Sequence, residues 1–188
     1  WATVIIFTAC IPIANILDAH HSAVAASNAP KQTDLTQEKP SELPVVEVIV
    51  GNSPTRGSAN AIIEVVEFSD FECPYCRRLA DNLRDAAKLA PELFRYTFKH
   101  FPMDSSCNRN LEGIMHQNAC DAAVAMVCAQ RLGKAWEMHD VIFENQKSLS
   151  KDIYVTFAAK IGIDPESFGV CMSDASALAE VKANIDQG

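Results

Sequence analysis

Hydrophobic and polar positions divide the chain into three stretches. Residues 1–17 (WATVIIFTACIPIANIL) carry no charge before Asp18, whereas residues 27–44 (SNAPKQTDLTQEKPSELP) hold three prolines, mixed charges and only Ala29, Leu35 and Leu43 as apolar side chains. From residue 45 onward the pattern is that of packed elements. The runs 45–50 (VVEVIV) and 61–68 (AIIEVVEF) are β-branched, end in turn residues, and predict two strands, with Arg56-Gly57-Ser58 read as a turn between them. A helix is expected next, because Leu79, Leu83, Ala86, Ala87 and Ala90 recur at helical spacing, Pro74 suits a first turn and Pro91 closes the segment. Residues 94–101 (FRYTFKHF) alternate aromatic with polar positions at Arg95, Thr97 and Lys99, and predict a third strand that Pro102 ends. The remainder reads as helices. Their stripes are Ala119, Ala122, Ala123, Met126 and Val127, then Trp136, His139 and Phe143, then Ile153, Phe157 and Ile161, a restart at Asp164-Pro165-Glu166, and finally Leu178, Val181 and Ile185.

The expected organisation is therefore an apolar segment (1–22), a polar linker with a first short strand (23–58) and an α/β domain (59–188). The apolar segment has two readings. It is the hydrophobic region of a secretory signal with Ala23-Val24-Ala25 as cleavage site, or the end of a membrane-spanning helix. Asp18-Ala19-His20-His21 separates the apolar run from the small-residue site, which favours the membrane helix. Either reading exports the domain. The opening Trp1, in place of Met, leads us to expect further residues before it.

Composition narrows the function. Of 188 residues, 48% are hydrophobic and 21% charged, values of a chain that folds. A net charge of −8 repels phosphate backbones, so nucleic acid is set aside as a partner. Seven cysteines point to an oxidising compartment.

Two of those cysteines carry the chemistry. In Cys73-Pro74-Tyr75-Cys76, Cys73 stands at a helix entrance, where free N–H groups and the positive end of the helix dipole favour thiolate over thiol. Cys76 lies one turn deeper, close enough to bridge with it and to act as the resolving sulfur. A structural zinc site would need a second ligand pair at similar spacing, and the chain has no other CxxC, HxxC or CxxH. A strand leading in and an amphipathic helix leading out make a redox pair the stronger reading.

With its flanks, the segment VEFSDFECPYCRRLADNL resembles the DsbA-like branch of the thioredoxin superfamily. FKHFPMD, ACDAAVAMVCAQ and KAWEMHDVIFENQ extend the resemblance over roughly residues 45–188. It implies a thioredoxin-like fold with an inserted helical domain and thiol–disulfide exchange, in the oxidising direction by preference, with isomerase or reductase as the alternative. Its implied substrates are exported proteins with cysteine pairs, without a cofactor. A DsbB-like or vitamin K epoxide reductase-like membrane protein is the implied redox partner, and the apolar segment looks like a remnant of fusion to the latter. The family pattern continues past such a last helix into a strand with a cis-proline, and no proline follows Pro165 here, so the C-terminal strands are expected to lie outside this chain. A rival from another class is a delivery module holding copper or zinc on Cys73 and Cys76.

Glu67, six residues before Cys73, stands where members of the superfamily keep a buried acid, and would take or return the proton of Cys76 through water. Glu64 and Glu67 are an odd number apart and so face opposite sides of a strand. His139 is expected to be a hydrogen-bonded core residue, and His100 a solvated or turn-bonding one. His116 with Cys120 is a metal-ligand spacing ranked below a disulfide. Cys107, Cys120, Cys128 and Cys171 allow three pairings, of which Cys120 to Cys128 fails, being about 12 Å apart along one helix. Of the remaining two, Cys107–Cys120 with Cys128–Cys171 is preferred over Cys107–Cys128 with Cys120–Cys171.

Overall fold

The computed structural model describes residues 46–188. The apolar segment, the linker and the signal or membrane-helix alternatives lie outside them. Among the described residues no helix is long and apolar enough to cross a membrane.

Three strands, β1 (Thr55–Gly57), β2 (Ile63–Ser69) and β3 (Phe94–His100), form one sheet in the order β1-β3-β2. β2 and β3 are parallel, with Glu67 opposite Phe98 and Ser69 opposite His100, and α1 (Pro74–Leu89) connects them. β1 runs antiparallel to β3. After β3 the chain is helical: α2 (Ala119–Arg131), α3 (Ala135–Glu144), α4 (Ile153–Lys160), α5 (Pro165–Met172) and α6 (Ala175–Ile185). This is an α/β thioredoxin-like fold with a helical insertion.

Several elements depart from the sequence reading for identifiable reasons. The run at 45–50 makes no ladder where it is described, and the short strand comes later, with Arg56 and Gly57 inside it instead of in a turn. Gly57 is required there: its φ is +104°, and a Cβ would stand 2.2 Å from the Phe94 carbonyl oxygen. On α1 the inward residues are Cys76, Ala80 and Leu83, while Leu79 is 43% exposed, because the face that enters the core is the one carrying the second cysteine. β3 is central and packs against both α1 and α6, and Thr97 and Lys99 are buried along with Tyr96 and Phe98. Residues 122–129 of α2 are all buried, and its alanines let α3, α4, α5 and α6 approach closely around it. Asp164 and Asp174 cap α5 and α6, accepting the N–H of Ser167 (2.9 Å) and Ser176 (2.8 Å).

Candidate functional site

β2 delivers the chain to a tight turn, Asp70 to Cys73, closed by the Cys73 N–H on the Asp70 carbonyl (3.1 Å). Cys73 is the N-cap of α1, in an extended conformation (φ −74°, ψ 119°), and Pro74 supplies the first helical residue without needing a hydrogen bond. No side chain caps this end and no acid lies in the first turn. Its donors are therefore uncontested by protein anions. Tyr75 is exposed, its ring 5.3 Å from the Arg78 guanidinium carbon, and Cys73 and Cys76 are half-buried.

Three side chains pin the turn, two of them its own. Asp70, itself buried, accepts the N–H of Glu72 on Oδ1 (2.7 Å) and that of Met103 on Oδ2 (2.6 Å), where the His116 Nδ1 also lies at 2.9 Å. Glu72 accepts both the main-chain N–H (2.6 Å) and the side-chain amide (3.0 Å) of Asn118 at the start of α2. Gln146, just after α3, donates its amide to the carbonyls of Phe71 (2.7 Å) and Cys73 (2.9 Å). Apart from the Glu72 N–H to Asp70 bond within the turn, none of these contacts follows a local pattern, and the sequence reading missed all three side chains.

Behind the turn sits a buried polar group. Glu67 is 5% exposed, while Glu64 is exposed and paired with Arg95 at 3.8 Å, on opposite sides of β2. The Glu67 carboxylate accepts the hydroxyls of Ser69 (2.7 Å) and Tyr96, and burial outweighs those bonds to raise its pKa above the ordinary glutamate value. Burial likewise pushes the Cys76 thiol up to about 11, with the Asp70 main chain, the Ser69 side chain and Cys73 as its polar neighbours. Cys76 is thus a thiol that holds its proton at neutral pH.

The other cysteines bond to one another: Cys107 to Cys120 (S–S 2.02 Å) and Cys128 to Cys171 (2.07 Å). His116 is turned towards Asp70 and away from a role beside Cys120. His139 is a core residue with its Nδ1 on Asp140 (2.8 Å), ringed by Phe98, Trp136 and Phe143. His100 departs from the expectation of a solvated residue. It is 2% exposed, packed on Phe98 and Phe71, with neither ring nitrogen hydrogen-bonded, because the end of β3 lies beneath the turn instead of at the surface.

The profile of the DSBA-like thioredoxin domain family matches residues 64–188. Among curated proteins the chain is similar to the Na(+)/H(+) antiporter NhaA 3 of Salinispora tropica, 28% identical over 131 residues, 70% of this chain and 19% of that one. It is also similar to NhaA 1 of Mycolicibacterium vanbaalenii, 32% identical over 113 residues, 60% and 17% of the two chains. The chain thus spans less than a fifth of the length of these curated relatives. They overturn the expected link to a vitamin K epoxide reductase-like membrane domain, since the membrane proteins that contain a similar stretch are antiporters. Among solved structures it is similar to a thioredoxin-like oxidoreductase from Silicibacter pomeroyi (24% identity, TM-score 0.56, 72% of this chain and 70% of that one). The thiol-disulfide exchange protein alpha-DsbA2 from Wolbachia pipientis has the same fold (18%, TM-score 0.56, 71% and 66%).

Proposed function

The chain belongs to the DSBA-like thioredoxin domain family and is a disulfide oxidoreductase of that kind, and from this premise we propose that Cys73 and Cys76 are its reactive pair, working as an oxidant of exported proteins. The observation that carries the reading is the asymmetry of two unbonded cysteines one turn apart: Cys73 at an uncapped helix start, Cys76 facing inward with its thiol pushed up to about 11 by burial. A substrate thiolate attacks Cys73 of the oxidised pair, and the Cys73–Cys76 bond breaks with Cys76 leaving as thiolate. A second substrate thiolate then attacks the substrate sulfur of the mixed disulfide and releases Cys73 as thiolate. Two electrons pass from the substrate dithiol to the pair. Glu67 takes and returns the proton of Cys76.

A DsbB-like membrane protein is the proposed reoxidant. An extracytoplasmic, membrane-tethered position is supported by two further disulfides in the fold and by relatives that are membrane antiporters. On the same grounds the chain is proposed to act as an appended domain of a larger membrane protein.

The test is trapping. Cys76→Ala, first charged at Cys73 as a mixed disulfide by glutathione disulfide, should exchange glutathione for reduced, unfolded substrate proteins and accumulate as mixed disulfides with them on non-reducing gels, and Cys73→Ser should abolish exchange. Trapping on Cys76 when Cys73 is replaced would reverse the assignment. Stoichiometric copper or zinc in purified reduced protein, with no exchange, would replace it by the delivery-module reading.

A further inference from the structure

Glu67 and Ser69 are two residues apart on β2, so they share one face, and both are buried. The Ser69 hydroxyl has given its only proton to Glu67 Oε1 (2.7 Å), and what it has left are acceptor lone pairs. The Glu67 second oxygen is occupied by the Tyr96 hydroxyl. Cys76, with a proton to give, has the Ser69 side chain among its few polar neighbours. The Ser69 hydroxyl is thus bonded directly to the carboxylate and is at the same time a neighbour of the Cys76 sulfur.

We propose that Ser69 is the proton relay between Cys76 and Glu67, a role that rests on the exchange reading above. When Cys76 resolves a mixed disulfide on Cys73, its S–H bond breaks and the proton passes to Ser69 Oγ, while the proton of Ser69 passes to Glu67 Oε1. The Cys76 thiolate forms the bond to Cys73 and the partner sulfur leaves as thiolate. In the oxidising direction the same protons return, and Cys76 leaves the pair and is protonated by Glu67 through Ser69. No water is needed in a site where the carboxylate is already enclosed.

The relay answers a specific difficulty. A thiol pushed up to about 11 is ionised only about once in 10⁴ at pH 7, too rarely to resolve quickly without a base. Glu67, raised by burial, is a base whose acid form is accessible nearer neutrality. The other titratable groups around it do not compete for the proton. Tyr96 is raised by burial and stays protonated, His100 beside Ser69 is pushed down to about 3, and His139 from α3 is lowered by burial. Cys73 and Asp70 border the thiol from the turn, and Asp70 already holds two N–H groups and His116.

The experiment follows the reduced chain with glutathione disulfide from pH 5 to 8.5, timing capture by Cys73 and resolution by Cys76 separately. Wild type should resolve at a rate that levels off above the Glu67 titration. Ser69→Ala should slow resolution at pH 7 by about 10- to 100-fold and make it climb about tenfold per pH unit, the signature of direct Cys76 ionisation. Ser69→Thr should restore both rate and profile, and Glu67→Gln should mimic Ser69→Ala. Capture is the internal reference for folding. Resolution by Ser69→Ala at the wild-type rate and profile overturns the relay, as does equal slowing of capture and resolution or failure of Ser69→Thr to restore; all three leave exchange standing. Absence of capture by wild type would remove the exchange reading, and the relay with it.

Discussion

Replacing the Cys128–Cys171 bridge by two alanines tests how far the helical insertion depends on its cross-link. The bridge joins α2, buried throughout residues 122–129, to α5, across a sequence separation of 43, whereas Cys107–Cys120 spans 13. Loop-closure entropy in the unfolded chain then gives about 4 kcal/mol for the first and about 3 kcal/mol for the second at 25 °C. Cys128 is fully buried, so its truncation also leaves a small void, which adds to the larger figure. At roughly 2–4 °C per kcal/mol for a chain of this size, the Cys128→Ala/Cys171→Ala protein should melt about 8–16 °C lower. The measurement is urea unfolding and calorimetry of both double variants in a Cys73→Ser background, so that the reactive pair cannot attack the bridges. A loss below about 1 kcal/mol for Cys128–Cys171, or a larger loss for Cys107–Cys120, would refute the reasoning.

Glu67→Gln should flatten one part of the pH dependence of stability. With the native carboxyl raised by burial, the folded state binds more protons than the unfolded one above pH 4.5, so stability falls as pH rises, by at most about 1.4 kcal/mol per pH unit; urea midpoints from pH 4 to 8 should decline in wild type relative to the variant, and parallel curves would exclude a buried, proton-binding Glu67. His100 and His139 act in the opposite sense: both are lowered by burial, so below pH 6.5 the unfolded state binds protons the folded state refuses and stability falls with pH. His100→Leu should reduce that acid loss, and an unchanged acid limb would count against its burial. Gly57→Ala should cost about 2 kcal/mol or more in urea unfolding, because the added Cβ meets the Phe94 carbonyl and φ is positive; a neutral effect would show that β1 does not pair with β3 as described.

What the sequence revealed and what it withheld divide along the range of the interaction. The cysteine pair, the helix it opens, the Asp164 restart of α5 and the helical stripes are local patterns, and each is visible within about ten residues. β1 was invisible because three residues make a strand only through a partner forty positions away, Thr55 against Thr97. The burial of Lys99 was hidden by the alternation of 94–101, which reads as a half-exposed strand although both sets of side chains are buried, whereas His100 continues the Phe94, Tyr96 and Phe98 face and was missed only because it ends the strand. Ser69 was within reach, since it follows Glu67 by two. Asn118 and Gln146 were not: they contact the turn across 46 and 73–75 residues, and nothing in their neighbourhood marks them.

Those distant anchors tie the cysteine turn to the helical insertion. Glu72 is held by Asn118 at the start of α2, the Phe71 and Cys73 carbonyls by Gln146 beyond α3, and Asp70 meets Met103 and His116 on the connection between β3 and α2. Every one of these contacts uses a carbonyl, a carboxylate or an N–H ahead of α1, and none takes an N–H of the first helical turn. A serine or aspartate cap would have stabilised the helix by about 1 kcal/mol, but it would have filled the N–H groups that the Cys73 sulfur uses in the proposed exchange. The insertion supplies from outside the rigidity that a cap would supply from within, so the helix start is both fixed in place and open. Loosening the insertion should therefore impair exchange at Cys73 before it unfolds the sheet.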